Sequence, residues 1–202
     1  MRNVIIVEGK TDKEFISQLV DSAQVLTFQI ETLGGQERFA ERLETIAHRV
    51  IKQEIDKVGI VIDLDDHTVA TRLQWVSRYL MEVFDCEITA TDIFINVQYE
   101  GVNFQLACHF VQPNLDVLLR KIAAKPSPRA DCLHACLASQ VNAKQKEREK
   151  AWPLYYMRWD ICDFAERANG AKYINFTHTH TKGAWNLDSP VLGELKAFLS
   201  LF

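Results

Sequence analysis

Glu8, Asp63 and Asp65 are the residues whose type and setting could do chemistry. Glu8 closes the apolar run VIIV at residues 4–7, and Asp63 and Asp65 sit in VIDLDD, where VGIVI at residues 58–62 leads into carboxylates without a polar break. A run so apolar and β-branched reads as a central strand covered on both faces. In an extended chain residues two apart point the same way, so Asp63 and Asp65 are expected to project together while Leu64 turns back to the core. Like charges held side by side repel, and burying them unpaired would cost on the order of several kcal/mol. A hard divalent cation with oxygen ligands, Mg2+ or Mn2+, would answer that repulsion. The simpler alternative is that Asp63 ends a strand and Asp65 or Asp66 caps the helix after it.

Positioning these side chains falls to the elements around them. Residues 4–7 and 25–33 read as strands, the second followed by Gly34-Gly35. Between them Phe15, Ile16, Leu19 and Val20 fall at helical spacing behind Thr11 or Asp12 as the cap. Phe39, Leu43, Ile46 and Val50 mark a second amphipathic helix before the strand at residues 57–63. This alternation argues for βαβ units: an α/β, Rossmann-like fold with a mainly parallel sheet flanked by helices. If the first and third strands are neighbours, Glu8, Asp63 and Asp65 converge at the carboxyl edge, where open α/β sheets place their sites. A helix is then expected over residues 68–84, and strands over 92–98 and 102–111 with Glu100-Gly101 as the turn. Beyond Pro113 the pattern is helical, at residues 115–123, 130–140, 152–168 and 189–201. The expected organisation is a sheet-bearing core over residues 1–111 and a helical C-terminal half, residues 112–202, packed on it in the same domain.

Composition sets bounds on partners. The 202 residues carry 23 basic and 27 acidic side chains, a net charge of −4, so no global field draws the chain toward nucleic acid. A nucleic acid substrate would need a local basic patch or a bound metal. The odd count of five cysteines does not form a disulfide framework and points to a reducing cytoplasm. The apolar run near the start is too short for a signal peptide, and no apolar segment approaches the ~20 residues of a membrane span.

VEGKTD, residues 7–12, resembles the E-G-x-x-D signature of TOPRIM domains, and VIDLDD resembles their D-x-D signature after an apolar strand. That domain is shared by topoisomerases, primases, small ribonucleases and OLD-family nucleases. The chain is similar, over nearly its whole length, to small stand-alone prokaryotic TOPRIM-like proteins, which share the glycine pair after the second strand and an ending like GAWNLDSPVLGELKAFLSLF. The resemblance implies a TOPRIM-like core and a magnesium-dependent phosphoryl-transfer enzyme, a nuclease acting on nucleic acid phosphodiesters. It assigns Glu8 to proton transfer or metal ligation and Asp63 and Asp65 to the metal. Asp66, acting through water, and Asp12, as a cap, are secondary candidates. Where relatives carry a glutamate in an L-E-x-L-L pattern, this chain has Asp116, whose reach is shorter; an acid in a helix's first turn is the other reading. A non-catalytic module that binds a partner ATPase is the alternative by analogy with OLD-type nucleases.

Other motifs compete less well. Lys10 and Thr11 would belong to a phosphate-binding loop only with a glycine at position 4, which is valine; Lys10 could still meet a phosphate or the acidic cluster. DLDD also resembles the haloacid-dehalogenase phosphatases, but a full β-α-β-α precedes it and His67 replaces the expected Thr or Val. Cys132, His134 and Cys136 form C-x-H-x-C without the C-x-x-C knuckle of zinc sites, and buried free thiols are the expectation. In THTHTK, residues 177–182, an extended segment would align His178, His180 and Lys182 toward a phosphate or a metal. The aromatic WPLYYMRWD at residues 152–160 could stack bases beside Arg158, though core packing is the usual fate of such a stripe. KQKEREK, residues 144–150, reads as a solvated helix face or a linker. Arg38, Arg42 and Arg49 offer the best local basic surface, offset by Glu37, Glu41 and Glu44.

Overall fold

Strands β1 (Asn3–Val7), β2 (Phe28–Thr32), β3 (Lys57–Asp63), β4 (Ile95–Tyr99) and β5 (Val102–Val111) form one sheet in the order β2-β1-β3-β5-β4. This computed structural model describes residues 3–21, 28–139 and 144–202, so the start of the strand expected from residue 25 lies outside it. Strands β2, β1, β3 and β5 run parallel, and β4 returns antiparallel on β5. Every residue of β1 and the stretch from Val58 to Ile62 of β3 are buried, which explains their unbroken apolar runs. The fold is α/β with a mostly parallel, Rossmann-like sheet flanked by helices.

Helices α1 (Lys10–Asp21), α2 (Phe39–Ile51) and α3 (Val69–Phe84) connect the strands. The chain steps from β1 to β2 on one side and returns past β1 to β3 on the other. Right-handed crossovers in opposite directions put α1 on one face and α2 on the other. On the α2 face, Val4, Ile6, Val58, Ile60, Ile62, Cys108 and Phe110 pack with Phe39, Leu43, Ile46, Val76 and Leu80. The next side chains along, Ile5, Gly59 and His109, belong to the opposite face.

That opposite face is closed by α10 (Gly193–Leu199) and the residues after it. Phe198 stacks on His109 at 5.3 Å, and Phe202 packs against Phe28, Phe94 and Phe198. Asn3 Nδ2 donates to Phe202 O at 2.7 Å and Lys57 Nζ to Leu201 O at 2.9 Å. A Cβ on Gly59 would stand 2.7 Å from Phe202 Cζ, so the glycine inside this central strand makes room for the ring.

The chain accordingly divides into two compact units, Met1–Asn114 with Glu194–Phe202, and Leu115–Gly193. The boundary expected after residue 111 falls after Asn114, and the last nine residues belong with the sheet, because their aromatic side chains cover it. Among the described residues, no helix is long and apolar enough to cross a membrane.

The second unit contains α4 (Leu115–Lys121), α5 (Pro128–Ala138), α6 (Gln145–Tyr155), a π-helical turn (Tyr156–Ile161), α7 (Phe164–Ala168), α8 (Gly170–Tyr173) and α9 (Phe176–Thr181). Its interior is an aromatic series: Trp152 stacks on Tyr156 at 4.9 Å, Tyr156 meets Trp185 at 5.1 Å, and Trp185 stacks on Phe176 at 5.3 Å. Core packing thus claims Trp152, Tyr156 and Met157, while Leu154, Tyr155 and Trp159 stay exposed.

Three expectations for local structure are corrected. The helix expected over residues 152–168 is interrupted, because Asp163 accepts the Glu166 amide and Glu166 accepts the Asp163 amide, which starts α7 afresh. Of the two readings of the charged run at 144–150, the solvated helix face holds and the linker does not: from Gln145 onward it forms the opening turns of α6. THTHTK is helical, since Asn175 Oδ1 accepts the His178 amide at 2.8 Å and caps α9. In the sheet, Asp92 lies before β4 in a left-handed turn, its amide on Cys108 O and its carboxylate 2.6 Å from His109 Nδ1.

Candidate functional site

The register Val7↔Val61 aligns the carboxyl ends of β1 and β3, so Glu8 and Asp63 emerge on adjacent strands. This is where the strand order reverses direction, the crevice in which open α/β sheets hold ligands. Leu33 N donates to Val7 O at 2.7 Å and brings Gly34 and Gly35 to the same edge. Their φ values of 77° and 116° explain the glycine pair, since side-chain-bearing residues are strained there.

Asp65 departs from the expected geometry. Strand β3 ends at Asp63, and Asp65 adopts φ 52°, a left-handed conformation that Asp tolerates better than most residues. The period-two rule therefore stops before Asp65. Leu64 does pack on the core, as expected. The loop is tied to the end of β5 by Leu64 N on Val111 O at 3.0 Å and Asp65 N on Pro113 O at 2.6 Å.

The positive group expected among these acids has a protein component that sequence reasoning missed. Arg72, only 2% exposed, reaches from α3 to place Nη2 3.4 Å from Glu8 Oε1 and donates Nε to the carbonyl of Asp63 at 3.0 Å. Its guanidinium lies over the ring of Trp75 at 4.8 Å, and Trp75 packs on Phe39 and Tyr79. One buried cation thus binds the first strand end to the third. Thr68, accepting the Thr71 amide at 3.2 Å, caps the helix that carries it.

The secondary candidates divide. Asp12 accepts the Gly9 amide at 3.1 Å, so Gly9 is the cap position of α1 and Asp12 reaches back to it as in half of a capping box; Thr11 is not the cap. Lys10 is 85% exposed and pairs with Glu14 at 3.5 Å. Asp66 is exposed. Asp116 belongs to the second unit, where it lines a cavity of about 290 Å³ with Arg120, His134, Arg148 and Trp152. Arg42 and Arg49 both pair with Glu31 of β2, so the basic surface of α2 is spent within the sheet unit.

The cysteine expectation is half corrected. Cys108 is buried, and burial, with Asp92 adding to it, pushes its thiol up to about 12. Cys132 and Cys136 are exposed on α5. Between them His134 meets Arg120 Nη1 at 3.0 Å, and desolvation followed by Arg120 and Arg148 pushes it below its ordinary value. Cationic neighbours make this a poor place for a metal.

Among the described residues, the acids of the sheet edge do not form a group with ligand atoms within 4.8 Å of one another; Cys162, Glu166 and His178 do. Helical geometry also separates His178 from His180. It pairs His178 with Lys182 instead, and both meet Glu166, at 2.8 Å and 2.5 Å.

Comparison with curated proteins and with solved structures gave no match. A family model described as "Protein of unknown function (DUF3226)" matches residues 2–202, and the chain belongs to that family.

Proposed function

We propose that this protein is a magnesium- or manganese-dependent phosphoryl-transfer enzyme of TOPRIM type, a nuclease acting on nucleic acid phosphodiesters. The observation that carries this reading is the register of β1 on β3, which sets Glu8 beside Asp63 at the reversal point of a parallel sheet. The donor set suits a hard cation: partly exposed carboxylates, carried by two adjacent strand ends and the loop after one of them. Asp63 and Asp65 would hold the ion, which when bound supplies Lewis-acid polarisation of a phosphoryl oxygen. Glu8 would take or return the proton of the attacking or leaving oxygen, and Arg72 would keep its carboxylate facing the site.

Calorimetric titration of Mg2+ and Mn2+ into the wild-type protein and Asp63→Asn/Asp65→Asn tests the assignment. At least tenfold weaker binding in a variant with an unchanged circular dichroism spectrum is expected, followed by ion-dependent cleavage of single- or double-stranded oligonucleotides by the wild type alone. Equal binding by the two proteins would remove Asp63 and Asp65 from the site.

Arg72 favours a second reading, a non-catalytic module whose acidic edge recognises a partner such as an ATPase, because a buried guanidinium already offsets Glu8. Copurification of a partner with no turnover by the isolated chain would select it.

A further inference from the structure

We propose that Cys162, Glu166 and His178 hold a divalent transition-metal ion of the zinc class, joining the segment before α7, α7 itself and α9. The site lies wholly within the second unit and does not depend on the function proposed above.

The donor set is a thiolate, a carboxylate and an imidazole, the ligands of zinc and its neighbours rather than of magnesium. All three donor atoms lie within 4.8 Å of one another. A tetrahedral ion with bonds of ~2.0–2.3 Å sets its ligand atoms roughly 3.3–3.8 Å apart, so small side-chain rotations close the group around an ion.

Each donor stands on a backbone position that is already fixed. Cys162 is extended after the π-helical turn, and Arg167 Nη1 donates to its carbonyl at 2.6 Å. Its thiol is buried and donates to the Tyr173 carbonyl at 3.7 Å. Glu166 occupies the third position of α7, where Oε2 accepts the Asp163 amide at 2.8 Å and Lys182 Nζ at 2.5 Å. Those bonds turn Oε1 toward His178 Nε2, 2.8 Å away. His178 is placed by the Asn175 cap, and the ring of Tyr173 packs on its imidazole at 4.8 Å. Partners that orient metal ligands from behind are therefore present before any ion arrives. On binding, the thiol gives its proton to solvent and the imidazole ligates in its neutral form; nothing is oxidised or reduced. Lys182, partly exposed, offsets Glu166 when no ion is bound.

Cobalt(II) titrated into the chelator-treated full chain reads the site directly. The expected result is a thiolate-to-cobalt charge-transfer band with the strong visible bands of a four-coordinate ion. Cys132→Ser/Cys136→Ser should keep it, which excludes the exposed thiols of α5, and Asp63→Asn/Asp65→Asn should keep it, which separates it from the sheet edge. Cys162→Ser and His178→Gln should each bind at least tenfold more weakly with circular dichroism unchanged. If Cys162→Ser does not fold, His178→Gln decides, since its side chain is a quarter exposed (24%). Absence of the charge-transfer band in the wild type, its survival in Cys162→Ser, or unweakened binding in His178→Gln would overturn the proposal.

Discussion

Glu8 and Glu166 are both carboxylates that face a cation, yet the two units hold them differently. Glu8 stands at a strand end and meets Arg72, a side chain 2% exposed that also binds a main-chain carbonyl and lies over Trp75. Glu166 meets Lys182, which is 29% exposed, and His178, on short helices capped by their own side chains. Lys182 first, then the Asp163 amide, hold the Glu166 carboxyl down at about 2. A buried guanidinium has no water to return to, so its partners are parts of the fold. A surface ammonium keeps most of its hydration whether paired or not, so its partner can be exchanged. The sheet edge is built as a fixed frame, and the helical cluster as a set of groups that can accept another ion.

The sharpest test of this contrast is Arg72→Ala. It removes the buried guanidinium that faces Glu8 together with its bond to the Asp63 carbonyl, for an expected loss of about 3–5 kcal/mol in urea unfolding. Glu8→Gln added to Arg72→Ala should recover part of it, a coupling of roughly 1–3 kcal/mol in a double-mutant cycle. A loss below about 1 kcal/mol would place Arg72 with surface pairs and erase the distinction.

Gly59→Val comes next, and here the sign is informative. Intrinsic preference favours valine over glycine inside a strand. The Phe202 ring stands where the new side chain would go, so a loss of about 1–3 kcal/mol is expected. Phe202→Ala in the same chain should shrink that loss. A gain in stability from Gly59→Val would mean that the tail does not clamp the sheet.

The sheet unit was legible where burial on two faces writes an uninterrupted apolar run, as in β1 and β3, and where short right-handed connections restrict the strand order. Adjacency of Glu8 and Asp63 follows from those two facts. Arg72 was not read, although its signal is present: it shares the buried row of α3 with Val76, Leu80 and Phe84 at intervals of four, a cation at a core position. Asp65 escapes the period-two pattern because β3 ends at Asp63 and nothing in DLDD marks the left-handed residue that follows. The cluster in the second unit leaves almost no pattern. Cys162, Glu166 and His178 come from three short segments whose meeting depends on the Asp163 and Asn175 caps, and TH repeats imitate strand alternation.

A neutral hydrogen bond in the aromatic core should fall between the two charged cases. Thr179, fully buried, accepts Trp185 Nε1 at 2.9 Å. Thr179→Val keeps the shape and leaves the indole N–H unpaired, for an expected loss of about 1–3 kcal/mol by urea unfolding. A neutral outcome would show that the indole finds another acceptor and that the stack itself carries this unit.

The smallest effect is expected for Lys182→Met, and that is what makes it informative. The variant removes the ammonium that pairs with Glu166 but keeps an unbranched side chain of similar length, so it isolates the charge. Because Lys182 is partly exposed, the unfolding midpoint should fall only slightly at moderate salt, far less than in Arg72→Ala. Cobalt affinity should rise, since a positive charge no longer sits on the carboxylate that the ion needs. An unfolding loss as large as that of Arg72→Ala would show that Lys182 is a fixed part of the fold, and the two carboxylates would then be held by one device rather than two.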